Sequence, residues 1–243
     1  MSRRLYSVLI CFLIVGGGPT TAKDKPLPVP TYYYGVYDMA LSARAGTPER
    51  PLWDISSPAM RDKMFDRLES VGINMATYAY VYRIEGPLYP HDNPKLKAQV
   101  ERWRGQTPVL NFLDDCQSHN MIGFLGIHVR PEDRERDEYL QYLDDVTTDV
   151  VTRFREHPGF GGFVPPVESF WQKITVPEYA HLARLAKQLK PDLLIMDFPS
   201  GPHVSGAVQC VQDHANLEEV DIENVQFFVG NSSVFSYYLS LYR

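Results

Sequence analysis

Short apolar runs of strand length alternate along this chain with longer stretches whose apolar residues recur at helical spacing. That alternation restricts the chain to a layered α/β fold. Six strand-like runs are readable, at 31–37, 75–82, 122–129, 160–164, 193–196 and 225–229. Most are continuously apolar rather than alternating, as strands covered on both faces of a parallel sheet are. The first helical stretch, 58–71, carries Met60, Met64, Phe65, Leu68 and Val71 on one stripe and is stopped by Gly72. Thr107-Pro108 opens a second helix to about His119 by N-cap and first-turn chemistry. The third, 137–156, places Tyr139, Leu143, Val146, Val150 and Phe154 along one face. Thr175, with Pro177 in the first turn, starts a fourth that ends at Pro191, and 204–217 reads as a fifth. The long connection after the second strand contains Gly86-Pro-Leu-Tyr-Pro90 and a short helix over 94–103.

Both a doubly wound sheet and a (β/α)8 barrel satisfy this order. No glycine-rich phosphate turn follows any strand, which weakens the nucleotide-binding form of the first. The expectation is a TIM-barrel-like (β/α)8 fold in one domain over 23–243. A complete barrel takes eight units in ~250 residues. Six readable strands therefore imply about six β/α units, incomplete at the C-terminus.

Arg3 and Arg4 before the apolar run 5–15, then Gly16-Gly-Gly-Pro-Thr-Thr-Ala22, form the pattern of a cleavable signal peptide over 1–22. Its apolar part is shorter than the ~20 residues a spanning helix needs, so no membrane association is expected after cleavage, and the mature chain is expected to be secreted or periplasmic. The formal net charge of −6 becomes −8 once those two arginines leave, which argues against a nucleic-acid partner. Cys116 and Cys210 fall on separate outer helices, so no disulfide is expected between them.

In a barrel the side chains at the C-terminal ends of the strands converge on one face. The run His157-Pro-Gly-Phe-Gly-Gly-Phe-Val-Pro-Pro-Val-Glu168 delivers a carboxylate to such a mouth, beside Phe170 and Trp171. Asp38 and Asp197 end the first and fifth strands, Tyr80 and Tyr82 the second, and His128 and Arg130 the third. No His-x-His, His-x-x-x-His or Cys-x-x-Cys pair occurs, so no metal or other cofactor is expected; no Gly-x-Ser-x-Gly elbow occurs either.

The order of segments resembles a bacterial family of exported TIM-barrel proteins of unknown function related to glycoside hydrolases. The resemblance rests on Gly72-Ile-Asn, Leu88-Tyr-Pro, His119-Asn-Met-Ile-Gly-Phe-Leu-Gly-Ile, the run ending at Glu168, and Lys190-Pro-Asp, and covers roughly 33–230. In that family the fourth strand ends in a glutamate, matched by Glu168, and the sixth carries a Gln-Asp pair, where this chain has Gln226-Phe227. The resemblance implies action on a carbohydrate, with Glu168 as general acid/base. A carboxyl beside prolines and aromatics is partly desolvated, which favours the neutral proton-donating form. Glycoside hydrolysis takes a second carboxyl group; Asp197 and Asp38 both end strands at this mouth, and Asp197 is taken as the candidate ahead of Asp38, whose commoner role is to cap the following turn. Asp38, Tyr80, Tyr82, His128, Arg130 and Trp171 are candidate substrate contacts, with Trp53 and Trp103 as further stacking surfaces. The alternative is a carbohydrate-binding barrel without turnover. A third reading gathers Asp38, His128, Glu168, Asp197 and His203 around a metal in a barrel hydrolase.

Overall fold

A computed structural model of the chain describes residues 35–36, 58–83, 86–87, 89–96, 108–129, 131, 134–166, 173–197 and 217–223. In chain order the elements are β1 (Gly35–Val36), α1 (Pro58–Ser70), β2 (Met75–Arg83), β3 (Gly86–Pro87), α2 (Pro108–Ser118), β4 (Ile122–Ile127), α3 (Arg136–Phe154), β5 (Phe160–Val164), α4 (Val176–Leu189), β6 (Leu194–Asp197) and β7 (Ile222–Glu223). The architecture is mixed α/β on one sheet, in the order β1-β2-β4-β5-β6-β7, with β3 paired to β2. Every pair on the main path is parallel, and only β3 runs antiparallel.

The helices stop where local chemistry predicts. At the end of α1 the Gly72 N–H donates to Glu69 C=O and the Ile73 N–H to Leu68 C=O, the paired bonds of a Schellman cap. Gly72 sits at φ 81°, where glycine meets no Cβ penalty. Asn120, at φ 53°, plays the same part after α2, where the Met121 N–H reaches Cys116 C=O. Glu178 reaches back to accept a 2.7 Å bond from the Thr175 N–H, closing the first turn of α4.

The strands follow one another across the sheet in sequence order, without the reversal that gives a doubly wound sheet its crevice. Right-handed crossovers repeated in one direction lay successive helices on the same face. Polar contacts join those neighbours: ion pairs of Arg61 with Asp115 (2.6 Å) between α1 and α2 and of Arg136 with Glu178 between α3 and α4, and a 2.9 Å hydrogen bond between His181 and Asp144. Burial pushes the Asp115 carboxyl up, and its bond and attraction to Arg61 offset only part of that rise. Leu113 and Cys116 of α2 stand against Gly123, whereas Phe124, one residue on, lies over Gly162 of β5. The strands are therefore packed on both faces, as their unbroken apolar runs predict.

Three sequence expectations change. The connection after β2 turns back at once into β3, with Arg83 opposite Gly86 at φ 115° and Pro87 on an edge strand, where its missing N–H costs no ladder bond. Residues 94–96 form a turn, and the rest of the 94–103 helix lies outside the described residues. The sixth parallel strand begins earlier than 225–229, at Ile222–Glu223, where Asp221 accepts a 2.8 Å bond from the Ile195 N–H and fixes the entry. The signal segment 1–22, the helix 204–217 up to residue 216, the run 225–229 and Cys210 lie outside the described residues. Cys116 is a free thiol whose burial pushes its pKa well up. No helix among the described residues is long and apolar enough to cross a membrane.

Candidate functional site

The C-terminal ends of β2, β4, β5 and β6 lie along one edge of the sheet because these strands are parallel neighbours. At this edge β2 and β4 lose step: Tyr78 pairs with Leu125 and Tyr82 with Ile127, so four residues of β2 span two of β4. A bulge of this kind re-aims side chains that simple alternation would align. Tyr78 packs on Phe112 of α2 at 5.4 Å between ring centroids, and the Tyr82 hydroxyl lies 2.8 Å from that of Tyr142 on α3. Both face the helical layer. Tyr80, between them, meets the His128 imidazole edge-on at 5.1 Å. Of the two tyrosines predicted for this strand end, Tyr80 meets His128, and the Tyr82 hydroxyl meets that of Tyr142 on α3.

His128 is held through its backbone. Its N–H donates to Tyr82 C=O at 2.8 Å, and the next carbonyl, Val129, accepts a 2.6 Å bond from the Tyr139 hydroxyl of α3. Burial pushes the Tyr139 hydroxyl well above its ordinary value, so it stays a donor at any working pH. Tyr80 and His128 are both buried, at 9% and 8% exposure. The loop 89–96 is fastened to the second half of α3: the Tyr89 hydroxyl donates to Asp149 at 2.6 Å, and its ring stands edge-on to Phe154. Burial, with the Asp149 charge beside it, raises the Tyr89 hydroxyl well above the usual tyrosine range.

Asp197 closes β6 and is fully buried. The preceding carbonyl, Met196, accepts a 3.0 Å bond from Tyr179, tying α4 to this strand end. In register, Asp197 stands beside Glu223 of β7. Adjacent strands lie about 4.8 Å apart, so two carboxylate-bearing residues occupy neighbouring backbone positions at the same edge. Sequence reasoning missed Glu223 because Ile222 alone gives its strand almost no apolar signature, whereas 225–229 has a stronger one. Glu168, Asp38, Arg130, Trp171 and His203 lie outside the described residues, as do Trp53 and Trp103. Pro165 and Pro166, both buried, carry the chain from β5 to within two residues of Glu168.

A second cluster was also invisible to local spacing. Asp62 and Asp66 of α1 and His119 after α2 bring their potential ligand atoms within 4.8 Å of one another. Sequence offers only the i,i+4 spacing of the two aspartates; the histidine arrives through the packing of α1 on α2.

No family model matches the sequence, nor does any curated protein. Among solved structures the chain is similar to a GH113 beta-1,4-mannanase, at 11% identity and TM-score 0.45 over 63% of this chain and 55% of that one. It is similar to a glycoside hydrolase family 5 protein from Bacteroides vulgatus ATCC 8482, at 10% identity and TM-score 0.44 over 60% and 33%. A further glycoside hydrolase aligns at 16% identity and TM-score 0.41 over 58% and 46%. The chain spans about half, or less, of the length of each.

Proposed function

We propose that this protein is a glycoside-hydrolase-like barrel acting on an extracytoplasmic carbohydrate, with Glu168 as its general acid/base. The observation that carries the reading is the unreversed order of parallel strands, which supports a sheet curling into a barrel and a shared mouth for Tyr80, His128 and Asp197. β5 ends at Val164 on the same edge, and Glu168 follows four residues later in sequence. In the reaction Glu168 protonates the leaving glycosidic oxygen. A second carboxyl group, from Asp197 or its register neighbour Glu223, attacks the anomeric carbon or activates a water. Tyr80 and His128, with Asp38, Arg130 and Trp171, contact the sugar. Export through the segment 1–22 to the periplasm or medium belongs to the same proposal.

The complete burial of Asp197 favours one second reading, a carbohydrate-binding barrel that does not turn over. Product analysis after incubation with a panel of polysaccharides separates the two. The wild type should release oligosaccharides, and Glu168→Gln should lower kcat by about 10²–10⁴-fold with ligand binding retained. Binding without product selects the second reading. A fully active Glu168→Gln variant removes the acid role.

A further inference from the structure

We propose that Asp62, Asp66 and His119 bind a divalent transition metal of the zinc class, which clamps α1 to α2 at the end of the sheet remote from the candidate sugar site. Asp62, Asp66 and Glu69 fall at i, i+4 and i+7 on α1, so three like charges share one face, a placement that destabilises a helix unless a cation offsets it. His119 faces them from the C-terminal cap of α2. Its ring stacks on Phe65 at 5.5 Å and 28° and is only 8% exposed, so its orientation is fixed by packing.

The two ring nitrogens do different work. Nδ1 lies 3.3 Å from Glu69 Oε2 in a hydrogen bond and 3.6 Å from Asp66 Oδ1. A proton on Nδ1 given to Glu69 leaves the lone pair on Nε2, the carboxylate–histidine arrangement that orients metal-bound imidazoles. Nε2 makes no hydrogen bond among the described residues and lies 3.4 Å from Asp62 Oδ1. Two tetrahedral ligands at ~2.1 Å from zinc are themselves about 3.4 Å apart, so this pair already has the spacing of a coordinating couple. Asp62 and Asp66 are largely exposed, free to close on an ion by rotamer change. One imidazole and two carboxylates leave a fourth position for water.

His119 precedes β4 and His128 follows it, so the cluster stands at the opposite end of the strand from the candidate mouth. At that end of a barrel, side chains serve stability. The metal would therefore be structural and independent of carbohydrate chemistry.

The test is a zinc titration of the chelator-stripped full chain at neutral pH by calorimetry, with thermal unfolding in parallel. One saturable site and a zinc-dependent rise in Tm are expected. Glu69→Gln should weaken binding about 10- to 100-fold. The Asp62→Asn/Asp66→Asn double variant, whose changes are at exposed positions and relieve like-charge repulsion on α1, should unfold at or slightly above the metal-free wild-type Tm and lose both responses to zinc. Absence of saturable binding overturns the proposal and leaves the cluster as a hydrogen bond between His119 and Glu69. Undiminished binding in the double variant also overturns it, because the ion would then sit at another histidine–carboxylate pair such as His157–Asp114 or His181–Asp144.

Discussion

Gly162→Ala tests why the glycine-rich approach to the candidate mouth has its sequence. Gly162 pairs in register with Phe124 on one side and Leu194 on the other, and a Cβ placed on it would enter the Phe124 ring. Phe124 is fully buried, so the ring has no exit to solvent. Overpacking of this kind costs about 1–3 kcal/mol. Replacing glycine by alanine within a strand returns roughly 0.5–1 kcal/mol of backbone entropy. With three ring atoms within 2.4 Å of that Cβ the overpacking falls in the upper part of the range, about 2–3 kcal/mol, so the net expectation is a loss of about 1–2.5 kcal/mol, or roughly 2–10 °C in Tm for a domain of this size. Urea and thermal unfolding followed by circular dichroism read it directly. In a Phe124→Leu background the same alanine should cost at least ~1 kcal/mol less, because the obstructing ring edge is gone. A Gly162→Ala protein as stable as wild type, or effects of the two changes that simply add, would refute a steric role for this glycine.

Tyr139→Phe removes the hydroxyl that holds Val129 C=O and should cost about 1–2 kcal/mol in urea denaturation, with faster amide exchange at residues 128–129 as the local signature. Burial alone would push the Glu178 carboxyl up, but bonds from Thr175 and Arg136 outweigh it and hold the pKa below its ordinary value. A depressed folded pKa means that the stabilisation is present above the unfolded value of ~4.3 and is lost as pH falls through the folded one. Stability measured from pH 6 down to pH 3 should therefore fall less steeply in Glu178→Gln than in wild type; identical slopes would contradict this.

The four helices were legible because their punctuation is local. Gly72, Pro108 and the Thr175-to-Glu178 step mark ends or starts within a residue or two of the observed ones, and the apolar stripe of α3 needs no partner to be recognised. Features that depend on pairing were not legible. β3 exists only because Tyr82 and Arg83 offer it an edge. The orientation of Tyr80 and Tyr82 follows from a register shift against β4, a relation between segments about 45 residues apart in sequence. Glu223 falls beside Asp197 through the pairing of β6 with β7, and His119 meets Asp62 through the packing of two helices. The chemistry-bearing residue types could be named from sequence; which of them share a neighbourhood is settled by long-range contacts.

The two histidines flanking β4 show how one short strand separates two kinds of chemistry. At its start, Gly123 has no room for a side chain: a Cβ would stand 2.5 Å from Gly159 O and 2.9 Å from Leu113 Cδ2. The absence of a side chain lets α2 settle close to the sheet, and the Asn120 turn that ends the helix then leaves His119 under the carboxylates of α1. At the far end, the Tyr82 carbonyl and the Tyr139 hydroxyl fix the 128–129 step, so His128 is presented beside Tyr80. Six residues at about 3.3 Å each put roughly 20 Å between these ends, beyond the 7–10 Å over which substitutions ordinarily couple. Changes at Asp62 and Asp66 therefore report on the helical clamp and changes at Tyr139 on the strand mouth. A failure of the metal proposal leaves the carbohydrate proposal untouched, and a failure of the carbohydrate proposal leaves the metal proposal standing.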